Sequence, residues 1–269
     1  MRFRPFRPNF TIKQIFTTGL LLLGTFAAPV FAEDSQFAGG LGGSIGNPIG
    51  NTEGQGVLNN LNRDNMFGRQ GQSEGGRTNS NTQTPTGTST QTDIAKSLDA
   101  GFKAGPYIYP QKLAATLTNL DASQQQQATG IFEQLLQVYD QQVAVQDTRL
   151  KNNVVGAMVY STYVSTFVLT GVELSEAQQE GLFAALNRTF LSDPSFAAMN
   201  DATRQELYEA LIITASFALG TYANSAGDFS QLEIAETLSA YLIQTIFQHD
   251  IDELQFTSEG VNLVQASFM

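Results

Sequence analysis

Apolar side chains recur every three to four positions through the second half of this 269-residue chain, a spacing that predicts helices. Ile131, Leu135 and Val138 follow a polar glutamine run opened by Asp121 and Ser123, and with Gln142 they predict a helix from about 122 to 146. Asn153 to Leu169 is apolar or hydroxylated all round, the pattern of a helix central in a core. Within it, Gly156 and Ala157 predict the close approach of another helix, and Gly171 a C-terminal cap. Ser175 and Gln178 have capping-box spacing for a third helix ending near Leu191, where Ser192-Asp193-Pro194 breaks it. Asn200 or Asp201 starts a fourth, with Leu207, Leu211, Ala215, Ala218 and Tyr222 on one apolar stripe. Ser230 and Glu233 form the clearest capping box in the chain, opening a fifth helix that buries Leu238, Leu242 and Ile246 and ends near His249. Leu254-Gln255-Phe256-Thr257 reads as extended, with Thr257 placed to cap one last helical turn, and a short helix is expected after Pro110. Five main helices joined by short loops predict an all-α bundle.

Upstream the periodicity disappears. From Glu33 to about Thr92 the chain is dominated by Gly, Asn, Gln, Ser and Thr, and from Gly68 through Asp93 it holds no aliphatic, aromatic or alanine residue. Such a stretch buries too little apolar surface to offset the entropy of ordering it, so a disordered linker is expected. Its first half scatters Leu41, Ile45, Ile49, Val57, Leu58, Leu61, Met66 and Phe67 among glycines; isolated apolar residues in such a tail are ordinarily solvated, with docking on a partner or on the domain as the alternative. Before it, Arg2, Arg4, Arg7 and Lys13 precede an uncharged apolar run from Ile15 to Val30, and Val30-Phe31-Ala32 supplies the small residues of a cleavage site. The apolar run is shorter than the roughly 20 residues of a membrane span, so a cleaved signal peptide is the reading. The arginines are not adjacent, which leaves a twin-arginine route unsupported, and no cysteine is present to carry a lipid. Three parts follow: a signal peptide over 1–32, a linker over 33–92 and an all-α domain over 93–269, exported to a periplasm or beyond the cell. The apolar helix at 153–169 is too short and, with four hydroxyl side chains and two tyrosines, too wet to span a membrane.

Charge narrows the partners. The formal net charge is −11, and removing the four basic residues of the leader brings it to −15. That surface repels phosphate backbones, so nucleic acid is excluded as a partner. No Lys or Arg follows Arg204, whereas nine acids lie between Glu206 and Glu259. A basic protein, a divalent cation or a cationic glycan fits such a face, whose commonest role is solvation.

With no cysteine and one histidine, thiol nucleophiles, thiolate metal sites, multi-histidine metal sites and bis-histidine haem are excluded, and no cofactor is expected. Stability has to come from an apolar core without disulfides. Gly42-Gly43-Ser44-Ile45-Gly46 has the form of a nucleophile elbow but lacks the flanking strand and helix. Asp250, Asp252 and Glu253 are weak candidates for a surface cation site, since Leu254, Phe256 and Val261 occupy positions where an EF-hand needs other residues. His249 at the end of the fifth helix answers the helix dipole. Glu209 shares a face with Gln205, and Glu236, on a stripe with Ala240, Ile243 and Phe247, is expected to be partly buried; the basic residues at hand are Arg149, Lys151, Arg188 and Arg204, and one of the arginines is expected to pair with Glu236 or Glu209. As weak catalytic candidates, Glu209 and Glu236 could serve a glycosidase-like site if they faced one cleft about 5 to 10 Å apart.

The order of elements, with Lys151-Asn152-Asn153 opening the apolar helix, Arg204-Gln205-Glu206-Leu207-Tyr208-Glu209 opening the fourth, and Leu254-Gln255-Phe256-Thr257-Ser258-Glu259-Gly260 near the end, resembles a helical domain of exported bacterial proteins that has no assigned function. The resemblance covers about residues 105 to 262 and implies an all-α domain behind a signal peptide, with no catalytic residues to carry over. The functional expectation is an exported, non-enzymatic interaction or structural module with an unknown protein or envelope component as partner. The alternatives are a carboxylate-based hydrolase of envelope polysaccharide and a carrier of a small apolar ligand.

Overall fold

The computed structural model describes residues 48–61, 63, 66–67 and 100–264; the proposed leader and the Gly42–Gly46 motif lie outside the described residues. In chain order the helices are α1 Gln55–Asn60, α2 Tyr109–Thr116, α3 Ala122–Val138, α4 Val154–Thr170, α5 Glu176–Leu191, α6 Pro194–Ala197, α7 Asp201–Asn224 and α8 Phe229–Phe247. An antiparallel hairpin, β1 Leu254–Thr257 and β2 Gly260–Leu263, follows. The fold is therefore mostly helical, as the periodicity predicts, with a small sheet that it does not. No described helix is long and apolar enough to cross a membrane.

Local signals set most boundaries. Asp121 and Gln124 form a reciprocal capping box on α3, as do Ser175 and Gln178 on α5. Asn153 caps α4 by accepting from the Gly156 N–H, and Gly171 closes it in the left-handed conformation at φ 69°. Asn200 caps α7 through the Thr203 N–H. The cap of α8 differs from expectation. Asp228 takes the Ser230 and Gln231 N–H groups, and the Ser230 hydroxyl donates to the same carboxylate. The N-cap therefore lies two residues earlier than expected, with Ser230 already inside the helix and its hydroxyl turned to Asp228, so the box with Glu233 is not formed.

The centre of the molecule is α4, α7 and α8. Tyr160 meets Ser216 at 3.1 Å, Ser161 donates to the Leu211 carbonyl at 3.1 Å, and Phe167 packs edge-on against Tyr222, so α4 and α7 run parallel. Because α5, α7 and α8 surround it, α4 is buried on nearly every side. The same holds for α7, whose residues from Leu207 to Leu219 are all buried, a cylinder of contact where a single stripe is expected. Gly156 does allow a close approach, but of the preceding turn rather than of a helix. A Cβ there would lie 2.7 Å from the Leu150 Cα and the Arg149 carbonyl oxygen, because the 3-10 turn Thr148–Leu150 folds back under α4.

Thr257 also corrects the sequence reading. Its hydroxyl donates to the Gly260 carbonyl and accepts from the Glu259 N–H, which makes it the corner of the β1–β2 hairpin and not the cap of a helical turn. The hairpin turn sits on α5 at Gly181, where a Cβ would fall 2.2 Å from the Thr257 carbonyl oxygen.

The largest departure concerns the expected linker. Its described residues form a strap across α7 and α8, with Ile49, Leu58 and Met66 fully buried and Leu61 nearly so. Tyr109 donates its hydroxyl to the Pro48 carbonyl, Thr203 bonds Glu53 at 3.2 Å, and Gln248 donates to the Asn59 carbonyl at 3.3 Å. At its far end Phe67 bridges Val261 in parallel fashion and packs edge-on against His249 at 5.3 Å. Ile49, Leu58, Leu61 and Met66 thus enter the main core from separate points of the strap. They show no period because the strap follows grooves between helices and has no continuous face of its own.

Candidate functional site

The strongest concentration of buried polar groups lies on the first half of α7, beneath the segment 100–109. Gln205 and Glu209 share a face, as their spacing of four requires, and the Gln205 amide donates to Glu209 Oε1 at 2.7 Å. Helix α2 has no side-chain cap of its own. Glu209 Oε2 supplies one from across the interface, accepting the Ile108 N–H at 2.9 Å and the Tyr109 N–H at 2.8 Å. Gln205 Oε1 accepts the Gly105 N–H at 2.8 Å while its amide also donates to the Pro106 carbonyl at 2.8 Å. Burial holds the Glu209 carboxyl above its ordinary pKa, against the opposing pull of the Tyr109, Gln205 and Ile108 donors.

One turn earlier, Glu206 is only 2% exposed; its Oε2 meets Lys112 at 2.8 Å and its Oε1 has no hydrogen-bond partner among the described residues. Among the contacts of the described residues, no arginine meets Glu209 or Glu236. Arg149 instead clamps Asp147 and Glu180 and lies over the Phe183 ring at 4.8 Å. Arg204 donates to the Gly101 and Phe196 carbonyls and stacks on the Phe196 ring, while Arg188 and Lys151 are exposed. Glu236 is itself exposed, correcting the expectation of partial burial: α8 buries Ala235, Leu238, Ser239, Leu242 and Ile243, and Ala240 on the stripe assigned to Glu236 faces solvent.

Beside Glu209 runs a chain of aromatic rings, Tyr160 to Tyr139 to Tyr208 to Phe102, with each neighbouring pair edge to face at 4.8 to 6.0 Å between centroids. Tyr139 donates to the Leu150 carbonyl at 3.0 Å and Tyr208 reaches Asp140 at 3.4 Å. Burial drives the phenols upward, to about 12 for Tyr160 and beyond the ordinary range for Tyr139 and Tyr208. Asp140 sits on a π-helical turn, Tyr139–Val143, that ends α3, and burial raises its carboxyl against the pull of Lys151 and Tyr208.

The acidic cluster after α8 is local in its bonding. His249 lies beyond the left-handed Gln248 cap, outside the helix, with Nδ1 at 3.2 Å from Glu253 Oε2. Glu253 also accepts the Asp250 N–H, the main reason its carboxyl titrates below the ordinary value, and Gln244 donates to Asp250. Asp252 is exposed. Among the described residues no three His, Cys, Asp or Glu side chains are placed to hold a metal ion.

A model described as a family of unknown function, DUF6683, matches residues 45–264. The chain belongs to this family. The DUF6683 match begins before the strap and ends with the hairpin, so it takes in residues 48–67 that the sequence pattern separates from the bundle. The helical family of unknown function expected from the order of elements is thus the one found, with an earlier start than residue 105. Neither a curated protein nor a solved structure matches the chain.

In this DUF6683 chain the buried carboxyl of Glu209 works as a tertiary fastener. Its oxygens meet two backbone amides and one side-chain amide, whereas Glu236 is exposed on α8. The pairing of Gln205 with Glu209 was legible in their spacing. Lys112, Asp140 and Arg63 were not, because each finds its partner on an element distant in sequence or just outside a regular helix.

Proposed function

We propose that the protein is an exported, non-enzymatic helical module that acts by binding. The observation that carries this reading is the saturation of Glu209 by the Ile108, Tyr109 and Gln205 donors, which commits the best buried acid to holding α2 and the segment 100–109 on α7. A general acid or base needs an oxygen within reach of substrate, and this carboxyl has its oxygens turned to the backbone. Export rests on the Arg-rich start, the apolar run and the Val30-Phe31-Ala32 site.

The exposed acids favour a cationic partner. Asp228, Glu233, Glu236, Asp250, Asp252, Glu253 and Glu259 all face solvent on α8 and its flanking residues, and no Lys or Arg follows Arg204, His249 beside Glu253 being the one histidine. The test compares the mature chain, residues 33–269, with its Glu233→Lys/Glu236→Lys/Asp252→Lys variant. The wild type retains an envelope component that the variant releases, and neither generates reducing ends from envelope polysaccharide. Equal retention by the two chains, or turnover that disappears in a folded Glu209→Gln variant, overturns the reading.

A further inference from the structure

Residues 68–99 join the strap to the bundle, running from Phe67 to Ala100, and the stretch from Gly68 to Asp93 brings no aliphatic, aromatic or alanine side chain. The strap is therefore held by its own contacts, and those contacts do not depend on which copy of the chain supplies it. The groove that receives it is specific. At one end the Tyr109 hydroxyl donates to the Pro48 carbonyl, and Tyr241 takes the Ile49 and Gly50 amides. At the other end Arg63 donates to the Thr245 and Ile246 carbonyls in the last turn of α8. That turn contains no basic residue of its own. A bare groove would leave these carbonyls without their cation and expose Leu207, against which Gly54 packs. The sequence best matched to such a groove is another strap.

We propose that the strap exchanges between two copies, each placing residues 48–67 on the α7–α8 groove of the other to give a reciprocally strapped dimer. The 32 connecting residues reach at most about 110 Å, far beyond the radius of gyration of about 16 Å for a domain of some 200 residues. Tethering gives the chain's own strap an effective concentration on the order of millimolar. Exchange thus becomes substantial where the protein itself approaches that concentration, since a swapped contact costs no new interface.

The absence of native cysteine makes the test direct. A Cβ on Gly54 lies 3.2 Å from the Leu207 Cβ. A mature chain carrying Gly54→Cys is mixed with one carrying Leu207→Cys, and the two are unfolded together, refolded at millimolar concentration and oxidised. Exchange gives a disulfide-linked heterodimer, identified by mass, whose yield falls at least tenfold at micromolar concentration. The double variant at micromolar concentration closes within one chain and verifies that the bond can form. Asn59→Cys with Gln248→Cys, on an exposed pair, repeats the test without touching the core. Internal closure in the double variants with no heterodimer in the mixtures at any concentration overturns the proposal.

Discussion

Arg63 Nε donates to the carbonyl of Ile246 at 2.8 Å, across 183 positions of sequence. Its other nitrogens reach the carbonyls of Thr245, Leu58 and Leu61, so one buried guanidinium closes the C-terminal ends of both α8 and α1. No carboxylate contacts it among the described residues, and burial lowers its pKa to about 10, which leaves it charged at neutral pH. The negative end of the α8 dipole takes the place of a counterion. Arg63→Met orphans several buried carbonyls at once and lowers the unfolding free energy by about 2 to 4 kcal/mol. Arg63→Lys recovers only part, because a single ammonium cannot reproduce the planar fork. Urea denaturation of the two variants measures both effects, and a loss below about 0.5 kcal/mol for Arg63→Met would mean that the strap is anchored elsewhere.

A chain beginning at residue 93, the boundary that composition alone recommends, lacks this anchor and the fully buried Ile49, Leu58 and Met66. Its apolar groove along α7 and α8 is left open to water. Such a fragment melts at least about 10 °C below a chain beginning at residue 33, as expected for the loss of several buried apolar side chains, and binds a hydrophobic dye that the longer chain does not. Circular dichroism melts and dye fluorescence on the two chains decide this. Coincident melts would show that the strap adds nothing to the cooperative unit.

The legible parts of the fold were those whose cause is local. Asp121 with Gln124 and Ser175 with Gln178 lie three residues apart, so the sequence shows both halves of each box. Gly171 ends α4 because its own backbone takes the left-handed conformation. What was not legible depends on partners far along the chain. Met66 has no apolar neighbour at helical or strand spacing and Leu58 has only Leu61, so no continuous apolar face announces them, and they are buried by grooves that other helices make. Glu236 sits on a plausible stripe, yet which face of α8 turns inward is decided by α4 and α7. Gln205 and Glu209 were legible as a pair, but the backbone amides that claim Glu209 lie 100 residues away.

Two helical glycines separate close packing from idle flexibility. At Gly130, within α3, a Cβ would meet nothing within 4 Å. Gly130→Ala removes backbone entropy from the unfolded chain and raises stability by about 0.5 to 1 kcal/mol. At Gly181, within α5, a Cβ would fall 2.2 Å from the Thr257 carbonyl oxygen and 2.8 Å from the Gly260 nitrogen. Those are backbone atoms and cannot rotate aside, so Gly181→Ala pushes the β1–β2 hairpin off the helix and costs about 2 to 4 kcal/mol. Thermal denaturation should move in opposite directions for the two. Similar shifts would mean that the hairpin turn does not rest on α5.

Glu209 gives the domain a pH dependence of definite sign. Its carboxyl has an ordinary value of 4.5 and is raised in the folded protein, chiefly by burial. The native state therefore holds the proton more tightly than the unfolded chain, so the contribution is fully present below 4.5 and is lost as pH rises through the higher folded value. Asp140, raised from 3.8 mainly by burial, acts in the same direction. The exposed Glu253 and Asp228, both lowered by hydrogen bonds, act in the opposite one, weakening the fold as pH falls. Comparing wild type with Glu209→Gln cancels these other groups. The stability advantage of the wild type shrinks as pH rises above 4.5 in urea unfolding, because only the wild type loses the bound proton. An advantage that grows over that range would show that the Ile108, Tyr109 and Gln205 donors outweigh burial and that the native site prefers the carboxylate.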